Sequence, residues 1–208
     1  MVKQERALRT REALIRAAAE AFDQEGFPVA SLTKISSRAG VSSGALHFHF
    51  ANKGALADAV EEAAAAVLQT ITYEPVRSGA SHLQHLIDVT HWLAQALRDD
   101  VVLRAGFALS GEATREPHTN LREYWRNWVE EHVRRSRTRG ELCEGAAPGR
   151  VSSAVVAATV GFEVLGSRDA AWLSADTITE FWRLLLPSVA AQAVFAELTT
   201  GEPRRSGF

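Results

Sequence analysis

Between residues 32 and 50 the chain reads LTKISSRAGVSSGALHFHF, and no other stretch narrows its folding choices as much. Leu32, Ile35, Val41, Leu46 and Phe50 form an apolar seam on either side of Ala39-Gly40. Two short helices joined by a tight turn need such a small pair where they approach. Ser42 is placed to cap the second helix. Along that helix Ser42, Ser43, Gly44, Ala45 and His47 leave a slim, uncharged face. A helix trimmed in this way can enter the major groove without bulky side chains holding it off the bases. The plainer reading of the same residues is a helical hairpin with a glycine turn.

The remainder of the chain carries helical signals and no sustained period-two alternation, which predicts an all-α fold. A first helix is expected from about Arg9 to Glu25, with Leu14, Ala18, Ala21 and Phe22 on one face and Gly26 as its stop. Ser31 and Ser42 begin the two helices of the turn motif. Asn52 opens a long fourth helix through Val60, Ala63, Val67 and Ile71, closed by Pro75 and Gly79. Further helices are expected near 81–98, 101–112, 119–139, 150–168 and 174–198, giving about nine in all. Pro187 should kink or loosen the last of them. These breaks divide the chain into a helix-turn-helix domain (1–52), a helical ligand-binding and dimerisation domain (53–200) and a flexible tail (201–208).

Charge is unevenly shared. Residues 1–56 hold eight basic and five acidic side chains, a surplus of three, so the rest carries −5 against an overall −2. A basic end on an acidic body fits one region for polyanions and another for different work. A single cysteine, Cys143, suits a reducing compartment, and no apolar run approaches the roughly 18–20 residues of a membrane span, so a cytoplasmic location is expected.

Across some 45 residues the motifs Ala18-x-x-x-Phe22-x-x-x-Gly26-Phe27, Ser31-Leu32-x-x-Ile35, Ala39-Gly40-Val41-Ser42-x-Gly44-Ala45-Leu46-x-Phe48-His49-Phe50 and Asn52-Lys53-x-x-Leu56 closely resemble the TetR family of bacterial repressors. The resemblance implies a homodimer reading a palindromic operator in double-stranded DNA, one recognition helix per half-site. On it, Ser42 and Ser43 reach phosphates or base edges, and Gly44 lets the backbone come close to the DNA. His47 and His49 meet phosphate, and Lys53 is the foremost phosphate partner. Thr33 and Lys34 are secondary contacts, together with the arm Lys3, Arg6 and Arg9. Many relatives place a lysine where this chain has Ser43, which removes one cationic contact per subunit and should make binding less salt-sensitive.

Past this domain, Val102-Leu103-Arg104-Ala105-Gly106, Tyr124-Trp125-Arg126, and Val160-Gly161 followed by Val164-x-Gly166 resemble the γ-butyrolactone autoregulator receptors and pseudo-receptors of antibiotic-producing actinomycetes. That implies a repressor of antibiotic or secondary-metabolite genes, released by a small hydrophobic ligand. The alternative is a TetR-type repressor of an efflux or metabolic gene with an unrelated ligand. Trp125 is expected in the pocket, since an indole offers a broad apolar face and an N–H donor. Trp128, Val89, Trp92, Phe107, Val160 and Phe162 are further lining candidates, each with core packing as the plainer role. Apolar spacing over 151–162 and 178–193 suits a four-helix dimer interface.

His82, His85 and His91 with Asp88 lack a second cluster to complete a metal geometry, so no metal is expected. No phosphate-cradling loop, nucleophile elbow or zinc-protease motif is present, and no cofactor or enzymatic activity is expected.

Overall fold

A computed structural model describes residues 2–73 and 80–203, with side chains from residue 4 onward. Ten α-helices and one 3-10 turn occur among the described residues, with no β-strand; Leu142 and Ala190 form a lone bridge. The all-α expectation holds. The close of the fourth helix expected at Pro75 and Gly79, the side chain of Lys3 and residues 204–208 lie outside the described residues.

The chain packs as two compact units, residues 1–68 with 100–122 and residues 69–99 with 123–208. The boundary read from the sequence at 52/53 falls inside the first unit. There α1 (Val2–Glu25), α2 (Leu32–Arg38), α3 (Ser43–His49), the start of α4 (Lys53–Thr72) and α6 (Val101–Ser110) share one core. Leu14, Ala18 and Phe22 of α1 meet Ile35, Leu46, Phe50, Leu56 and Val60, closed by Ala105 and Leu109 of α6. α6 is recruited because its small residues permit close approach: a Cβ at Gly106 would lie 2.3 Å from that of Ala64.

Helix ends follow local chemistry. Asp100 accepts from the amides of Val102 and Leu103 to start α6, and Asn52 Oδ1 accepts from Ala55 N to start α4. Gly40 has φ +68°, and Val41 N donates to Ser36 O (3.0 Å), the six-to-one bond of a Schellman stop. A Cβ on Gly40 would meet nothing within 4 Å. The turn therefore needs glycine for its left-handed backbone, and the steric reason read from the sequence is corrected.

In the second unit α5 (His82–Asp99), α7 (Leu121–Thr138), α8 (Pro148–Gly166) and α9 (Ala175–Val189) carry the buried side chains, with the 3-10 turn at Ala170–Leu173 joining α8 to α9. Two tryptophans are fully buried there, and each pairs with a threonine on another helix. Trp125 Nε1 donates to Thr159 Oγ1 (2.8 Å) and Trp182 Nε1 to Thr90 Oγ1 (2.7 Å). Each hydroxyl passes its own proton to a carbonyl of its helix, Val155 O and Ile87 O, so both indole donors are satisfied in the core.

The single helix expected over 174–198 does not persist. It stops at Val189, and α10 (Gln192–Phe195) is a separate short turn. Pro187 contributes no N–H to its last turn, and residues 189–191 bond sideways instead: Cys143 N donates to Val189 O (2.9 Å) and Ala191 N to Glu141 O (2.8 Å).

Candidate DNA-reading and ligand-sensing sites

Within the first unit, Ser42 caps α3, its Oγ accepting from Ala45 N at 3.1 Å. A serine hydroxyl that accepts in this way keeps its proton, so Ser42 can still donate to a phosphate. Ser43, Gly44, His47 and Phe48 are exposed, Phe48 at 82 %, while Leu46 beneath them is buried and fixes the helix to the core. Phe48 is an exposed aromatic beside His49, their rings edge-on at 5.2 Å. Gly44 has no positive φ, and a Cβ there would meet only Ser42 Oγ, at an ordinary 3.9 Å. Nothing inside the chain demands glycine at this position.

Thr33 and Lys34 are exposed on α2, and Lys34 Nζ pairs with Glu25 Oε2 at 3.2 Å. Lys53 is differently placed from the sequence expectation. Its ammonium donates to Phe27 O (2.8 Å), Pro28 O (3.0 Å) and Ala30 O (3.2 Å), and it sits 4.7 Å from the centre of the Phe27 ring. Three bonds exhaust the donors of an ammonium, so Lys53 braces the α1–α2 turn. Arg115 lies over the same ring at 5.5 Å and also pairs with Asp58 and Glu61. Glu61 is fully buried and accepts from the amides of His118 and Thr119 as well, which pins the segment before α7.

In the second unit Trp125 and Trp128 stack, ring centres 5.2 Å apart and 12° from parallel, and Trp128 stacks in turn on His132 at 3.9 Å. Two of the predicted lining residues are thus brought together. The Trp125 N–H, expected to meet a ligand, is already held by Thr159, and the fully buried indole stacks on Trp128. Trp92 is half-buried and edge-on to His85 at 6.5 Å; Val89 is buried in α5. Val160 lines an open groove of about 370 Å³ with Arg126, Glu130, Ser152, Ser153, Val156 and Ala157. Phe162 packs beside Trp172 and Phe181 at 6.5 and 5.7 Å. Phe107 is buried in α6 of the first unit.

Thr159 and His132 escaped the sequence reading, and His85 was weighed there only as a metal ligand. His132 continues the 125/128 stripe at helical spacing and was legible there; Thr159 looks like any helix threonine. Burial lowers the pKa of all three neighbouring histidines, His82, His85 and His132, with His85 reaching about 4 and the charges of His132 and His82 adding to the effect. His91 Nε2 pairs with Thr200 O (2.8 Å), and Asp88 accepts from Gln84 (2.7 Å), so two of the four residues weighed as a metal set bond elsewhere. Among the described residues no group of His, Cys, Asp or Glu could hold a metal ion, and no helix is long and apolar enough to cross a membrane.

The model of bacterial regulatory proteins of the tetR family matches residues 14–60, which is α1 through the start of α4. The chain is 35 % identical over 206 residues to the A-factor receptor protein of Streptomyces griseus, covering 95 % of this chain and 70 % of that protein. A crystal structure of a γ-butyrolactone receptor (ArpA-like protein) superposes with TM-score 0.80 at 27 % identity, covering 92 % of this chain and 94 % of the other. CprB from Streptomyces coelicolor, solved in complex with its operator sequence, gives TM-score 0.77 at 27 % identity with the same coverage. The slim exposed helix, the buried seam beneath it and the similarity running the length of both units lead to one assignment: the chain belongs to the tetR family of bacterial transcription regulators, in the branch of the γ-butyrolactone receptors.

Proposed function

We propose that this protein is a repressor that binds a palindromic operator as a homodimer and is released by a small hydrophobic ligand of the γ-butyrolactone class, controlling antibiotic or secondary-metabolite genes. The first unit reads DNA, and the second senses ligand and dimerises. One observation carries most weight: the 35 % identity to a receptor protein extends across 95 % of the chain, through the sensing unit as well as the reading unit.

Contacts to DNA are assigned to Ser42, Ser43, Gly44, His47 and His49, with Thr33 and Lys34 flanking. Gly44 supports this assignment, because a glycine that the monomer does not require is explained by close approach to a groove. The dimer is assigned to α8 and α9, which leave Val164 (47 %), Leu165 (44 %) and Leu184 (83 %) exposed, with Trp172 (41 %) between them. Exposed large apolar side chains on these elements support an association surface there. Ligand then favours a dimer geometry in which the paired α3 helices no longer match the groove spacing.

The test is a gel retardation assay on the promoter fragment of the protein's own gene. Salt-sensitive retardation, reversed by an alkyl γ-butyrolactone, is expected. Absence of retardation at low salt refutes the reading.

A further inference from the structure

A protein that holds DNA neutralises phosphates with lysine and arginine, yet around α3 those cations already have partners. Lys34 of α2 pairs with Glu25 of α1 (3.2 Å), and Arg38 of α2 donates to Gln24 (3.1 Å) with Glu20 at 4.0 Å. Lys53 of α4 gives its three protons to backbone carbonyls. Arg11 of α1 lies over the Phe50 ring, 5.5 Å from its centre. α3 itself contains no lysine, arginine, aspartate or glutamate; its ionisable side chains are His47 and His49.

His47 follows Ser43 by four residues and Gly44 by three, so the three share one face of the helix, and all are exposed. His49 is half-buried, with the Phe48 ring edge-on at 5.2 Å and the Phe50 ring at 6.4 Å. Among the described residues neither imidazole has a hydrogen-bond or ion-pair partner, so their nitrogens are not committed inside the chain. Histidine changes charge between about pH 5 and 8, and a phosphate brought against it favours the protonated ring. That ring donates from both nitrogens and supplies α3 with the cation its sequence lacks.

We infer that operator binding takes up protons through His47 and His49, so that the hold on DNA tightens as pH falls from about 8.5 to 6.5. This rests on the assignment of α3 to the DNA and adds the regulation of that contact. The sign follows from linkage: the bound state carries more protons than the free state, so acid favours it. The fall in log K per pH unit equals the number of protons taken up. About one to two per dimer, shared among four histidines, gives a tenfold to hundredfold change per pH unit near neutrality.

The test titrates operator retardation by the full-length protein from about pH 8.5 to 6.5 at constant ionic strength. In that window His82, His85 and His132 stay neutral, because burial lowers the pKa of each. Calorimetry in buffers of different ionisation enthalpy counts the protons directly. The wild type should gain about tenfold or more in affinity per pH unit on acidification. His47→Gln should remove about half of that slope or more, and His47→Gln with His49→Gln should flatten it. His118→Gln, at the first unit's remaining histidine, which lies 3.3 Å from Glu62, should keep the wild-type slope. A wild type that binds with no proton uptake overturns the inference without any variant, and so does a slope that survives the double substitution. Should the double variant fail to bind, the slope of His47→Gln alone decides. Absence of retardation at every pH is a different failure, that of the DNA-reading assignment itself.

Discussion

At Gly44 the backbone is helical and the space for a side chain is open, so alanine there costs the monomer nothing and slightly favours the helix. Gly44→Ala should leave the melting temperature unchanged or a little higher and weaken operator binding about tenfold or more, read by thermal melt and gel titration. Lys53 gives the opposite pattern. Removing the ammonium leaves three carbonyls of the α1–α2 turn unpaired, so Lys53→Ala should lose about 1–3 kcal/mol of stability in denaturant unfolding. Its slope of log K against log salt should stay that of the wild type; a slope flatter by about one per subunit would restore the phosphate role read from the sequence. Lys53 shows where single-residue reading stops. Its type and helix position were evident, but its acceptors lie 23 to 26 residues earlier, and only the folded turn brings them within reach.

Among the elements, the segment between α6 and α7 depends on one buried acid. Glu61 bonds to Arg115 and to two backbone amides, and deleting it leaves both amides unpaired and Asp58 as the remaining partner of a guanidinium that is only 10 % exposed. Glu61→Ala should cost about 3–5 kcal/mol, measured by denaturant unfolding; a loss under about 1 kcal/mol would show that the segment holds without it. Element existence was largely legible. Caps and glycines at Gly26, Gly40, Ser42, Asn52 and Asp100 mark helix ends found within about two residues of expectation, whereas α1 begins at Val2 and not at about Arg9. The exceptions have tertiary causes. The last helix breaks because residues 189–191 find partners at 141–143, and α6 joins the first unit because Gly106 and Ala105 let it lie close. Periodicity marks which face of a helix is buried and is silent about which neighbour buries it. The ligand set shows the same limit: the 125/128/132 stripe could be read, whereas the Thr159 bond could not.

For the whole molecule, Leu184 is the most telling surface residue, a leucine 83 % exposed on α9. Leu184→Glu should convert the dimer to monomer in sedimentation analysis and abolish cooperative operator binding, since each half-site then acts alone. A dimer that survives would move the interface away from this face. Acid should act on the second unit through its histidines. His85 is neutral in the fold down to about 4 against 6.5 when unfolded, because of burial and the neighbouring His132 and His82, and those two rings are lowered as well. Arg135, Arg139, Glu131 and Glu141 are the charged groups acting on His82. The unfolded chain therefore binds more protons, and stability is full above about 6.5 and lost as pH falls towards 4. Melting temperature should drop across that window, and His85→Phe should flatten the drop.

Phe27 sits with Lys53 and Arg115 over its ring, and the three carbonyls around it are occupied before any DNA is present. The reading head is thus set in advance, like a key cut before it meets the lock. Little ordering remains to oppose association, so encounters with the right sequence should convert to bound complex without a slow folding-on-contact phase.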